Sequence, residues 1–148
     1  MDKQTTSLLN ELIETSRDGQ NGFAKAAAEI EEPELKAFFI QASQRCAEGA
    51  RELQEKVRAL GGEPEESGST LGAAHRGWLD VKAAATGRDT HAILEEVERG
   101  EDYAKGKYNE ALTHEELPED VREVLTRQYQ GVIENHDRVR DLRDQYRA

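Results

Sequence analysis

From Val121 to Tyr146 the inward-type positions step by three and four without a slip: Val121, Leu125, Gln128, Val132, Asn135, Val139, Leu142 and Tyr146. Only an α-helix with one buried stripe repeats in this way over so long a stretch. Three more segments step by threes and fours in the same way, the second of them with two fours in succession. The first runs through Leu9, Leu12, Ser16, Gly19, Phe23, Ala26 and Ile30, the second through Phe39, Ala42, Cys46, Ala50, Leu53, Val57 and Leu60. The third runs through Leu94, Val97, Glu101, Ala104, Tyr108 and Ala111. No alternating run of β-branched or aromatic residues framed by hairpin turns competes with them, so the fold class is all-α.

Punctuation sets the boundaries. Thr5, Thr6 and Ser7 offer caps for a first helix over about 7–31, and Pro33 breaks it and opens a second over about 33–60. Gly61 and Gly62 stop that helix. A shorter amphipathic segment with Trp78, Leu79 and Val81 is expected over about 71–86 and ends at Gly87. Asp89 can cap a helix over about 89–113, and Pro118 opens the last, over about 118–146. Short turns make the first and second long helices antiparallel, and likewise the third and fourth. About 28 residues separate the second from the third. A helical segment of ~16 residues spans about 24 Å, enough with its loops to carry the chain along a bundle. The expected architecture is one domain, 1–148: a ferritin-like four-helix bundle with one long helical crossover between helices two and three. An up-down-up-down bundle, with the Trp78 segment packed outside, is the alternative.

With 31 acidic and 20 basic residues the formal net charge is -11. Phosphate binding needs a concentrated basic surface, so nucleic acid is not an expected partner. Arg138, Arg140, Arg143 and Arg147 alternate with Asp137, Asp141 and Asp144, the pattern of a solvated helix end. No stretch is apolar enough for a signal peptide or a membrane span, which points to the cytoplasm. The single cysteine, Cys46, excludes an internal disulfide and any multi-cysteine metal site. No base stands beside it in the sequence pattern, and in a row with Phe39, Ala42 and Leu53 it is expected to be a small core residue.

The stretches LNELIETSRDGQNGFAKAA, LGGEP, ILEEVERGEDYAKGKYNEAL and NHDRVRDLRD resemble a bacterial family of ferritin-like four-helix bundles filed as a domain of unknown function, DUF2383. The resemblance covers about residues 5–145. It implies the ferritin-like fold and brings no established activity. The wider ferritin-like group implies a di-iron or di-manganese centre with one Glu from each of two helices and a Glu-x-x-His pair from each of the others. Here the residues three before His75, His91, His114 and His136 are Gly72, Arg88, Ala111 and Ile133, so Glu-x-x-His is absent. Ser16 stands where the first ligand is expected, and mid helix two offers Cys46, Gly49 and Ala50.

Glu101 is the residue to watch, because a carboxylate on a buried stripe is costly unless paired, hydrogen-bonded, protonated or bound to metal. With His136 it is the candidate metal pair, for iron, manganese or zinc. A hydrogen-bond network with Gln128, Asn135 or a tyrosine hydroxyl is the structural alternative. Ser16, Cys46, Gln128 and Asn135 form a polar mid-bundle layer, and Glu95, Glu96, Glu98, Glu115, Glu116 and Glu119 are expected on solvated faces and turns. No catalytic residue can be assigned. Three functions stay open: a non-enzymatic module that associates with itself or a protein partner; a metal-binding or oxidase-type protein built on Glu101 and His136; and a small-molecule pocket among Ser16, Gly19, Cys46, Gly49, Gly100 and Asn135.

Overall fold

A computed structural model describes residues 3–66 and 89–146. It contains four long helices, α1 (Lys3–Glu29), α2 (Pro33–Ala59), α3 (Thr90–Leu112) and α4 (Glu119–Gln145), and no strand among the described residues. The expected helix at 71–86 with Trp78 lies outside them.

Most ends fall within about two residues of expectation, and the start of α1 does not. Its helix is already formed at Lys3, so Thr5, Thr6 and Ser7 are helical and cap nothing. Thr6 Oγ1 donates to the Lys3 carbonyl at 3.0 Å and Thr5 is buried, so the inward stripe extends one turn further than its apolar members suggest. Elsewhere the local chemistry explains the boundary. Pro33 forces Glu32 into an extended conformation (φ -68°, ψ 120°), which ends the turn and starts α2. At the far end Gly61 takes φ 83°, its N–H reaches the Arg58 carbonyl and that of Gly62 the Val57 carbonyl, both at 2.9 Å. That pairing satisfies the last carbonyls of α2 and needs a residue without a Cβ. The Asp89 side chain accepts from the His91 N–H at 3.1 Å and caps α3. Pro118 sits one position earlier than expected, as the N-cap of α4.

The core is divided into two apolar clusters. One joins the C-terminal part of α1 (Phe23, Ala26, Ile30), the N-terminal part of α2 (Leu35, Phe39), the N-terminal part of α3 (Ile93, Leu94, Val97) and Val139 near the end of α4. The other joins Leu9, Leu12 and Ile13 to Leu53 and Val57, Tyr108 and Ala111, and Val121 and Leu125. The starts of α2 and α3 therefore share one end of the bundle, and the two helices run in the same direction. Thr90 Oγ1 donates to Glu32 Oε2 at 2.6 Å, which ties the first residue of α3 to the turn between α1 and α2.

A glycine inside a helix costs stability unless packing demands it. A Cβ on Gly106 would meet nothing within 4 Å, whereas one on Gly19 would come within 3.0 Å of Cys46 Sγ. Gly106→Ala is therefore expected to stabilise the protein by about 0.5 to 1 kcal/mol, and Gly19→Ala to bring no such gain. Urea unfolding of the two variants checks the contrast in sign.

Candidate functional site

Halfway along the bundle every helix turns small or polar on its inward side. Ser16 and Gly19 from α1, Cys46 and Gly49 from α2, Gly100, Glu101 and Ala104 from α3, and Gln128, Gly131 and Asn135 from α4 face one level between the two clusters. Side chains this short do not fill the space that four helices enclose, and a cavity of about 580 Å³ results. Phe23 and Ala42 bound it toward one cluster and Tyr108 toward the other. Cys46, Gly49 and Glu52 on α2, and Gln128, Gly131, Val132 and Asn135 on α4, are only partly buried, while Phe39, Leu53 and Val57 on α2 and Val121, Leu125 and Val139 on α4, to either side of this level, are buried. The cavity thus opens between α2 and α4. Its lining also includes Arg45, Arg51 and Arg127 among the basic residues and Glu48, Glu52 and Glu55 among the acidic ones.

Gln128 crosses one side of the cavity. Its Oε1 accepts from the Tyr108 hydroxyl at 2.7 Å, and its Nε2 donates to Glu52 Oε1 at 2.9 Å and to the Gly49 carbonyl at 3.3 Å. One amide so links α2, α3 and α4, which accounts for a polar residue on the α4 stripe. Burial works against the Glu52 carboxylate, but hydrogen bonds from Arg127 and Gln128 outweigh it and hold the group below its ordinary value. Burial pushes the Tyr108 hydroxyl up, against a hydrogen bond with Ser16, and keeps it neutral.

Glu101 is the one carboxyl sealed into the wall, with 5% of its surface exposed. Asn135 Nδ2 donates to its Oε1 at 2.5 Å, and it makes no ion pair among the described residues. Burial raises its pKa to about 8, against the Asn135 hydrogen bond and the charge of Arg45, with Asp102 adding repulsion. Cys46 is a small, partly buried residue packed against the apolar cluster that holds Phe39 and Ala42. Its side chain lines the cavity and is partly exposed, and burial together with the nearby Glu101 pushes the thiol up, away from the reactive thiolate.

His136 stands elsewhere. Its ring is absent from the cavity wall and lies between α3 and α4, with Nε2 2.6 Å from Asp102 Oδ1 and 3.8 Å from Glu98 Oε2. The structure therefore brings Ser16, Cys46, Glu101, Gln128 and Asn135 around one cavity and gives His136 different neighbours. Glu98 is also not on a solvated face: it is buried and ion-paired with Arg143. Neither Glu98 nor Asp102 stands out in the sequence. Their spacing of four, beside a histidine on another helix, is the signal, and it can be recognised only once the rotation of α3 against α4 is known.

A two-metal centre takes about six protein donors. The mid-bundle level supplies the Glu101 carboxyl and the Cys46 thiol, with the amides of Asn135 and Gln128, and the other carboxylates of the lining stand on the α2 side toward the opening. Among the described residues no His, Cys, Asp or Glu group of metal-binding geometry falls there; the one that exists is Glu98, Asp102 and His136. These residues do not fit such a centre.

Residues 4–114 match the family described as Domain of unknown function (DUF2383). The chain belongs to that family. The matched stretch takes in α1, α2 and α3, and so the cavity wall from Ser16 to Tyr108, whereas the α4 wall with Gln128, Gly131 and Asn135 lies beyond it. No curated protein matches the chain. No described helix is long and apolar enough to cross a membrane.

Proposed function

We propose that this DUF2383 protein is a ferritin-like bundle that has exchanged a metal centre for a ligand cavity, and that it binds a small organic cation, an amine with an apolar body, without transforming it. The observation that carries this reading is Glu101, a carboxyl sealed into the wall of a 580 Å³ cavity, hydrogen-bonded to the Asn135 amide and without an ion pair among the described residues. Cavities of a few hundred Å³ with few polar groups among small and apolar ones are the usual form of a ligand site. A buried carboxylate lacking a counter-ion is unfavourable, and an ammonium group on the ligand supplies one. Glu48, Glu52 and Glu55 offset Arg45, Arg51 and Arg127 in the lining, so Glu101 is the group that tips it toward a cation over an anion. Phe23, Ala42, Ala104 and Val132 would cover the apolar body.

A ferritin-like architecture suits the same picture, since the end of α2 and the start of α3 lie at opposite ends of the bundle. The role of an association module has less to stand on. Ile40 and Tyr146, at 45% and 38% exposure, are the exposed large apolar side chains among the described residues, and they form no broad patch on different helices.

The test is a comparison of matched ligands by isothermal titration calorimetry at neutral pH: 2-phenylethylamine, hexylamine and their alcohol and carboxylic acid counterparts. The amines are expected to bind about tenfold or more tighter than the alcohols, and the acids not at all. Glu101→Gln should bring amine affinity down to that of the alcohols. Gly131→Leu, which projects a side chain from a position where a Cβ meets nothing within 4 Å, should block every ligand while leaving the fold intact. Equal affinity for amine and acid, or unchanged binding in Gly131→Leu, would rule the reading out.

A further inference from the structure

We propose that Glu98, Asp102 and His136 form a site for one divalent transition-metal ion on the outer side of the bundle, between α3 and α4. One ligand atom from each lies within 4.8 Å of those from the others. Glu98 and Asp102 are four residues apart on α3, so their side chains share a face, and α4 brings His136 against both.

The imidazole supplies an observation independent of the carboxylates. The residue is 7% exposed, and its Nε2, although 2.6 Å from Asp102 Oδ1, lies out of line and makes no hydrogen bond. The other ring nitrogen, Nδ1, is 3.2 Å from Asp137 Oδ1. An ionised carboxylate only accepts, so Nδ1 donates in this contact and Nε2 is the ring atom turned toward Asp102 and Glu98. Two more carboxylates gather at Nε2 and repel one another unless a positive charge, a proton on the ring or a bound cation, stands among them. A metal ion bound to Nε2, Glu98 and Asp102 removes the repulsion.

The surroundings suit that ion. Metal-bound histidines commonly donate their second N–H to a carboxylate, which fixes the tautomer and the ring, and Asp137 is placed to accept it. Arg143 donates to Glu98 Oε1, which leaves Oε2 as the oxygen nearer His136. Arg140 lies 3.5 Å from Asp137 Oδ1 and steadies it from the solvent side. Asp102, with its side chain 62% exposed, leaves the site open to entry and to a water or exogenous ligand. One imidazole with two carboxylates selects zinc, manganese or iron(II) over magnesium or calcium, which prefer oxygen alone. The site stands apart from the cavity reading, because Glu101 contributes no atom to it.

Zinc chloride titrated calorimetrically into the tag-free, chelator-treated protein at neutral pH is the test. We expect one zinc per chain with micromolar affinity, a large 15N shift of His136 Nε2, and no saturation by magnesium at the same concentrations. Asp102→Asn, at an exposed position that leaves folding intact, should weaken zinc about tenfold or more. His136→Gln should abolish the tight event, and Glu101→Gln should leave it unchanged. Zinc affinity that survives both Asp102→Asn and His136→Gln would place the ion at another histidine and overturn the proposal. Absence of saturable zinc uptake overturns it as well, leaving a protonated imidazole held by its carboxylates.

Discussion

Glu101→Gln stabilises the protein at alkaline pH by about 3 to 5 kcal/mol, and the gain fades toward pH 5. A carboxyl whose pKa rises from 4.5 to about 8 on folding holds its proton in the native state after the unfolded chain has released it. Between those values the native state binds more protons than the unfolded one, so the Glu101 contribution to stability falls as pH rises and levels off above pH 8. Each pH unit in this window is worth about 1.4 kcal/mol, which sets the upper end of the range; water entering from the cavity lowers it. Glutamine keeps an oxygen for the Asn135 amide and has no proton to lose. Urea unfolding of both proteins at intervals from pH 5 to pH 9, in chelator to keep the metal cluster empty, isolates the effect, because histidines and other carboxylates cancel in the difference. A difference that stays flat with pH would mean that Glu101 is ionised at neutral pH despite its burial.

The second large effect belongs to the opposite kind of residue. Phe39→Ala is expected to destabilise the protein by about 3 to 5 kcal/mol. Phe39 is completely buried, its ring centroid lies 5.9 Å from that of Phe23 and 5.7 Å from that of Phe38, and it belongs to the cluster where the starts of α2 and α3 meet. Truncation there removes apolar contact from a packed end that cannot collapse without moving a helix. Total stabilities of about 5 to 15 kcal/mol are usual, so the variant should sit near the threshold of folding. Ile40→Ser, at the neighbouring exposed position, should change stability by no more than about 0.5 kcal/mol. Denaturant midpoints of the pair give the comparison.

The contrast between Glu101 and Phe39 also marks how much of the molecule can be read in its sequence. The helices are legible because burial repeats with the helical period, and their boundaries because Pro33, Gly61 and Asp89 each do one thing to the backbone. The start of α1 is not, since Thr5 is buried without being apolar. Position along the stripes picks out the polar level with Ser16, Cys46, Glu101, Gln128 and Asn135. What the stripes do not carry is separation between helices: glycines at Gly19 and Gly49 can signal close approach or empty space. Cys46 Sγ would lie 3.0 Å from a Cβ on Gly19, while the same level encloses 580 Å³. His136 illustrates the remaining gap. One residue from Asn135, it is turned by about 100° around the helix, and that rotation gives it Asp102 and Glu98 as neighbours instead of Glu101.

The account turns on whether the mid-bundle cavity receives a ligand, and its own glycines can report on that. Gly19, Gly49, Gly100 and Gly131 line the cavity, one from each helix, and the 1H–15N spectrum resolves glycine amides from most others. On titration with hexylamine these four should shift together and saturate, while Gly61 and Gly106, outside the lining, stay in place. Shifts at the helix ends with the four cavity glycines unmoved, or no saturable shift at all, would contradict it.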